Sequence, residues 1–150
     1  MPNVCRDSHI DAITLHRDDT YLKTFVFQGD WYILLRGGHI VTGYPRRISD
    51  DWRGLPGYID AALYVPPLRT IAGYTVFFKG DQYYVFGENK RIDYNGNVAE
   101  LGLPADIDAA FLFGANRRLY ATKGNTPVCK IVKVLRLCLK VNTAAHVCVA

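Results

Sequence analysis

Serine is scarce in this 150-residue chain: only Ser8 and Ser49 occur, and neither lies in a Gly-x-Ser-x-Gly elbow. Ser8 and His9 are adjacent, and neighbours on a strand face opposite ways, so they form no dyad. His-Glu-x-x-His is missing, which denies zinc-protease chemistry its two His on one helix face beside a Glu base. The Cys spacings of 9 and 10 between Cys129, Cys138 and Cys148 match no zinc clamp. Asp50-Asp51 suit the first turn of a helix better than a paired acid and base. No active site is expected in this chain.

Long apolar runs are missing too. The greasiest stretch, Val128 to Val141, is cut by Lys130, Lys133, Arg136 and Lys140, whereas a membrane helix needs about 20 mostly apolar residues. Met1-Pro2-Asn3-Val4-Cys5 has neither a basic nor an apolar leader region, so no signal peptide is expected here. No Asn-x-Ser/Thr acceptor occurs. Acidic residues stop at Asp108: residues 1–116 sum to 11 − 14 = −3, and the remaining thirty-four carry +7. The basicity of the chain belongs to one segment, so nucleic-acid binding is not expected.

What is present points to β-structure. The chain is 49% apolar and 21% charged, as a single globular domain with a core would be. Ten Tyr, seven Phe and two Trp stand among thirteen Gly and seven Pro, a composition of strands and turns.

The sequence also repeats. Ile10-Asp11-Ala12-Ile13 returns as Ile59-Asp60-Ala61-Ala62 and as Ile107-Asp108-Ala109-Ala110, at offsets of 49 and 48 residues. Each Asp-Ala leads to an aromatic run that closes on a turn: Phe25-Val26-Phe27-Gln28-Gly29-Asp30, then Val76-Phe77-Phe78-Lys79-Gly80-Asp81, and more weakly Leu119-Tyr120-Ala121-Thr122-Lys123-Gly124-Asn125. Short β-branched and aromatic runs on either side of Gly-Asp read as hairpins, with Gly taking the positive φ. Pro45 breaks the ladder, and Ser49 is expected to cap one helical turn that carries Trp52 inward. Units of this length, with three or four strands and no helix to cover them, must stack on one another. That is the arithmetic of a β-propeller blade.

The Asp-Ala-Ala start, the Phe-Phe-Lys-Gly-Asp-x-Tyr-Tyr centre (77–84), the Gly-Tyr-Pro-x-x-Ile-Ser-x-x-Trp connector (43–52) and the Leu-Pro-Gly lead-in (55–57) resemble the hemopexin-like repeat. Cys5 followed by Ile10-Asp11-Ala12-Ile13-Thr14 resembles the version found in matrix metalloproteinases. The resemblance covers residues 5–125: blade one about 10–54, blade two about 55–104, and the start of blade three about 105–125. The expected fold is therefore all-β, a hemopexin-like propeller, normally four-bladed and here incomplete. Four blades at this period need roughly 190–200 residues. Residues 126–150 form a divergent tail, in which Pro127 falls where the second unit carries Tyr83. Lys130, Lys133, Arg136 and Lys140 would line one face of a basic helix suited to membranes or polyanions, but the β-branched residues suit a strand equally well. In the family the first Cys pairs with one at the end of blade four, so the partner of Cys5 among Cys129, Cys138 and Cys148 stays open.

The resemblance implies an ion site on the axis. Backbone carbonyls at Asp11, Asp60 and Asp108 would hold calcium or sodium, and amides at Ile13, Ala62 and Ala110 would hold chloride. The plainer alternative, compatible with the first, is that Asp-Ala simply starts a strand where the axis is crowded. The aromatic residues Phe27, Trp52, Phe77, Phe78, Tyr83, Tyr84 and Phe86 are expected as core between blades, and with His9, His16, His39 and His146 scattered, no haem is expected. By resemblance the function is non-catalytic recognition: an exosite module of a secreted, extracellular matrix metalloproteinase, binding matrix proteins or protease inhibitors. A vitronectin-like adhesive module and a stand-alone binding propeller are the alternatives. Open blade edges would also favour self-association.

Overall fold

The structure, a computed structural model, describes residues 6, 9–17, 21–67, 72–113, 118–124 and 126–133. Three antiparallel sheets follow one another along the chain. The first contains β1 (Ala12–Arg17), β2 (Leu22–Gln28), β3 (Trp31–Arg36) and β4 (His39–Ile40) in spatial order, with β5 (Arg46–Arg47) also pairing β3. The second runs β6 (Ala61–Val65), β7 (Tyr74–Lys79), β8 (Gln82–Phe86) and β9 (Ile92–Asn97). The third runs β10 (Ala109–Phe113), β11 (Arg118–Lys123) and β12 (Thr126–Lys133). The all-β fold class holds, and β6 lies between β1 and β10, so the innermost strands of the three sheets are neighbours.

β12 lies beyond residue 125, where the sequence suggests that the repeats stop. It pairs with β11 all the same, bringing Lys130 opposite Ala121 and Lys133 opposite Arg118. Between the two alternatives for the tail, the backbone is a strand as far as Lys133. The ladder is irregular between Ala121 and Lys123, near Pro127, which has no amide hydrogen to contribute. The rest of the tail lies outside the described residues, as does Cys5, and the pairing of Cys5 stays open.

The short helix α1 (Ile48–Asp51) corrects one expectation. Arg47, not Ser49, occupies the N-cap, and no side chain caps the helix. The reason is that the hairpin already serves the first amide: Ile48 N–H donates to the Asp30 carbonyl at 2.9 Å. In the second unit the matching amide, Val98, donates to the Asp81 carbonyl at 2.8 Å and opens a 3-10 turn (Val98–Leu101). Here a cap does form: the Asn97 side chain accepts from Ala99 N–H, while Glu100 accepts from Asn97 N–H.

Side chains alternate faces along a strand, and in β7 both faces are covered. Phe77 points to the first sheet, where it packs with Phe27, Phe86 and Trp52. Val76 and Phe78 point the other way, to Tyr83, Ile107, Leu119 and Ala121 at the third sheet. Trp52, carried inward by α1 as expected, is fully buried and meets Phe25, Phe27, Phe77 and Phe86 edge-on at 5.2–5.7 Å. Burying each such ring contributes about 1.5–3 kcal/mol, so these aromatics are what hold sheet to sheet.

Candidate functional site where the repeat starts converge

Each unit's Asp is placed by the same local geometry. The amide of Asp11 donates to the Phe27 carbonyl although Phe27 stands opposite Ala12 in the ladder. Asp60 does the same with Phe78, opposite Ala61, and Asp108 with Thr122, opposite Ala109. Asp and Ala thus share one partner residue, and the Asp side chain reaches along the hairpin. It reaches the turn glycine. Asp11 Oδ2 accepts from Gly29 N–H at 2.6 Å and Asp60 Oδ2 from Gly80 N–H at 2.6 Å, while Asp108 Oδ2 accepts from Gly124 N–H. All three glycines have positive φ, between 57° and 60°, which a residue without a Cβ adopts at no steric cost.

The next unit closes on the same turn. Tyr58 N–H donates to the Gly29 carbonyl and Asp106 N–H to the Gly80 carbonyl, both at 2.9 Å. Both donors sit at φ 53°, a left-handed conformation uncommon for residues other than glycine. Gly57 passes so near the first turn that an added Cβ would run into the Asp30 carboxylate and lie 3.1 Å from the Gly29 carbonyl oxygen. Every polar backbone group of the Gly-Asp turn named here is therefore used: the Gly amide by its own Asp, the Gly carbonyl by the following unit, the Asp carbonyl by the helical turn.

The three starts line one cavity of about 350 Å³, together with His9, Ile10, Tyr58, Ile59, Lys79, Asp106 and Ile107. Four carboxylates face two basic groups there. Lys79 Nζ is 2.9 Å from Asp60 Oδ1 and His9 Nε2 is 3.0 Å from Asp11 Oδ1. Among the described residues no three His, Cys, Asp or Glu side chains gather as a metal cluster. Each start carboxylate gives its Oδ2 to a glycine amide, and the acidic lining of the cavity is of the kind that suits a hard cation. Ile13, Ala62 and Ala110 follow two residues along β1, β6 and β10. Ala62 is buried, Ala110 half-buried and Ile13 exposed.

The aromatic residues singled out in the sequence do lie between sheets rather than on a binding face. What the sequence left unnoticed is the pair of outer apolar faces: Ile13 and Leu15 on β1, and Phe111 on β10, stacked on Tyr120 with centroids 5.6 Å apart. The Asn97-Val98-Ala99-Glu100 capping box was legible as an Asn with Glu three residues on. The Tyr58 and Asp106 latches carry no sequence signal, since neither residue favours the conformation in the way glycine does.

A family model described as Hemopexin matches the chain twice, over residues 10–57 and 59–105. Among curated proteins, the chain is similar to stromelysin-3 of Xenopus laevis, 30% identical over 126 residues, covering 82% of this chain and 24% of that protein. It is similar to human matrix metalloproteinase-17, 37% identical over 116 residues, covering 74% and 18%. Matrix metalloproteinase-2 of Drosophila melanogaster is 33% identical over 129 residues, covering 82% and 16%. The match thus spans about a quarter or less of these relatives' own length. Among solved structures, a hemopexin fold protein from cow pea aligns with TM-score 0.59 at 20% identity, over 83% of this chain and 68% of that one. A seed albumin from Lathyrus sativus aligns with TM-score 0.60 at 20% identity, over 83% and 64%.

Proposed function

Because this chain belongs to the hemopexin family, we propose that it is a non-catalytic interaction module, the exosite part of an extracellular matrix metalloproteinase that binds matrix proteins or protease inhibitors. The observation that carries this reading is the match of two successive repeats to the family model, joined to the likeness to metalloproteinases over about three quarters or more of the chain. The physical means is rigidity. Sheets locked to one another by buried aromatics present fixed polar surfaces, and a fixed surface binds without ordering itself first. An axial calcium or sodium ion on the carbonyls of Asp11, Asp60 and Asp108, with chloride at the Ile13, Ala62 and Ala110 amides, belongs to the same proposal. It is supported by the shared cavity and its excess of acid.

The test is direct. Immobilised triple-helical collagen and a metalloproteinase inhibitor protein are each exposed to the purified chain, and saturable binding to either one supports the module reading. Binding to neither, with adhesion to cell-surface proteins instead, would favour a vitronectin-like role. The apolar outer faces of β1 and β10 support a second property, self-association, which light scattering reads as a mass above that of the monomer. A monodisperse monomer overturns it.

A further inference from the structure

A cavity of about 470 Å³ lies at the end of the first sheet remote from the Gly29 turn, where β2 begins and β3 ends. It shares no residue with the cavity at the repeat starts. Strand pairing builds it: the register that sets Phe25 opposite Leu34 and Thr24 opposite Leu35 brings the start of β2 beside the end of β3. Leu34, buried and part of the core around Trp52, forms its base. Tyr21 and Leu22 line it while standing 67% and 52% exposed. Ile40, opposite Leu35 in the ladder and also exposed, extends the apolar surface. Large apolar side chains gathered in water mark a contact surface.

The charge of this groove has one sign. Lys23 and Arg36 line it, and among the described residues no carboxylate does, although residues 1–116 sum to −3. Lys23 already has an interaction of its own. Arg36 is exposed, and among the described residues its guanidinium has neither a hydrogen bond nor an ion pair. A guanidinium on a polar surface is simply solvated. Here it follows Leu35 and shares the groove with Leu22. A partner that covers those side chains also strips water from the guanidinium, so it must bring an acceptor with it. The planar fork of N–H donors matches a carboxylate with two parallel bonds. An open groove leaves a free hydrocarbon chain half in water, whereas side chains carried on another protein's surface need no enclosure. Tyr and Arg are also the residue types that anchor protein interfaces.

We propose that this groove docks a segment of another protein in which an acidic residue stands beside a bulky aliphatic one. The carboxylate pairs with Arg36, and the aliphatic side chain packs against Tyr21, Leu22 and Leu34. The inference does not rest on the metalloproteinase reading or on any ion at the repeat starts.

The test selects random octapeptides displayed on phage against the whole chain, with Arg36→Gln as the counter-selection. Arg36 is exposed and unpaired among the described residues, so this variant is expected to fold as the parent does. Enriched peptides should carry Asp or Glu beside Leu, Ile or Val. Synthetic copies should shift the methyl resonances of Leu34 and Leu35 together with the Arg36 Nε–H signal. Arg36→Gln, or exchange of the peptide's acid for its amide, lowers affinity about tenfold. The two changes together lose little more, because both remove the same bond. Leu22→Ser weakens binding as well, through the apolar part. Enriched peptides without an acid, no enrichment over Arg36→Gln, losses that add, or resonance shifts confined to other surfaces overturn the proposal. Octanoate binding in the groove where no peptide binds overturns it too, and makes the occupant a lipid acid.

Discussion

The carboxylate of Asp60 accepts the amide hydrogen of Gly80 at 2.6 Å, tying the first residue of the second unit to the far end of its own hairpin. Asp11 with Gly29 and Asp108 with Gly124 repeat the arrangement. The pairing explains why an Asp and a Gly recur together through the chain: one supplies the acceptor that the other's exposed turn amide needs. Four predictions test this architecture.

Asp60→Ala removes the acceptor of the Gly80 amide and the partner of Lys79. The ion pair is partly solvated, with Lys79 37% exposed, and is worth under about 1 kcal/mol. The orphaned amide costs about 1–3 kcal/mol and dominates. Asp60→Asn, which keeps an acceptor oxygen, loses less. Urea midpoints of the two variants order them, and equal losses would show that the charge matters more than the amide.

Two glycine substitutions separate conformation from crowding. Gly80 has φ 60° and an added Cβ would meet only the Asp106 carboxylate, at an ordinary 4.0 Å, so Gly80→Ala costs about 1 kcal/mol through the backbone alone. Gly57→Ala faces the Asp30 side chain and the Gly29 backbone, and must push the two units apart. It is expected to cost more than Gly80→Ala by thermal unfolding. The reverse order would refute the close approach.

Trp52→Ala empties the junction of the first two sheets and costs about 3–5 kcal/mol. Trp52→Phe keeps most of the ring contacts and sacrifices no hydrogen bond, because Nε1 has no partner among the described residues. Chemical denaturation should place Phe nearer the parent than Ala. A Phe variant as unstable as the Ala variant would mean that ring area is not what matters.

Tyr32 is a phenol whose proton is held well above the ordinary value of 10.0, chiefly by burial and then by its hydrogen bond to Asp51 at 2.5 Å. The neutral form is the one the fold prefers, so its contribution is full below about pH 10 and is lost as pH rises beyond it. Ultraviolet titration should show Tyr32 ionising only as the chain unfolds. Tyr32→Phe is expected to cost about 1 kcal/mol at neutral pH and to make the alkaline limb shallower.

The repeat register, the Gly turns and the inward Trp52 were legible because each arises from local chemistry at a fixed spacing. Ser49 misled, because Asp30 supplies through the backbone what a capping side chain would have supplied. Beyond residue 125 the sequence left helix and strand open, because Pro127 argues against a strand locally, while the unpaired edge of β11 invites any extended segment. At the candidate site the sequence named Asp11, Asp60 and Asp108 and their convergence, but not where their side chains go. Those hydrogen bonds depend on where strand pairing sets each Asp against its hairpin, which composition does not announce. His16 passed as one scattered histidine because Thr75 and Glu88, which it meets, lie 59 and 72 residues away.

The latch from Tyr58 to Gly29, repeated from Asp106 to Gly80, runs in one direction only. A unit emerging during synthesis has its turn amide secured by its own opening residue, yet its turn carbonyl waits for a donor that has not been made. Each turn therefore offers its successor a fixed acceptor on which to register.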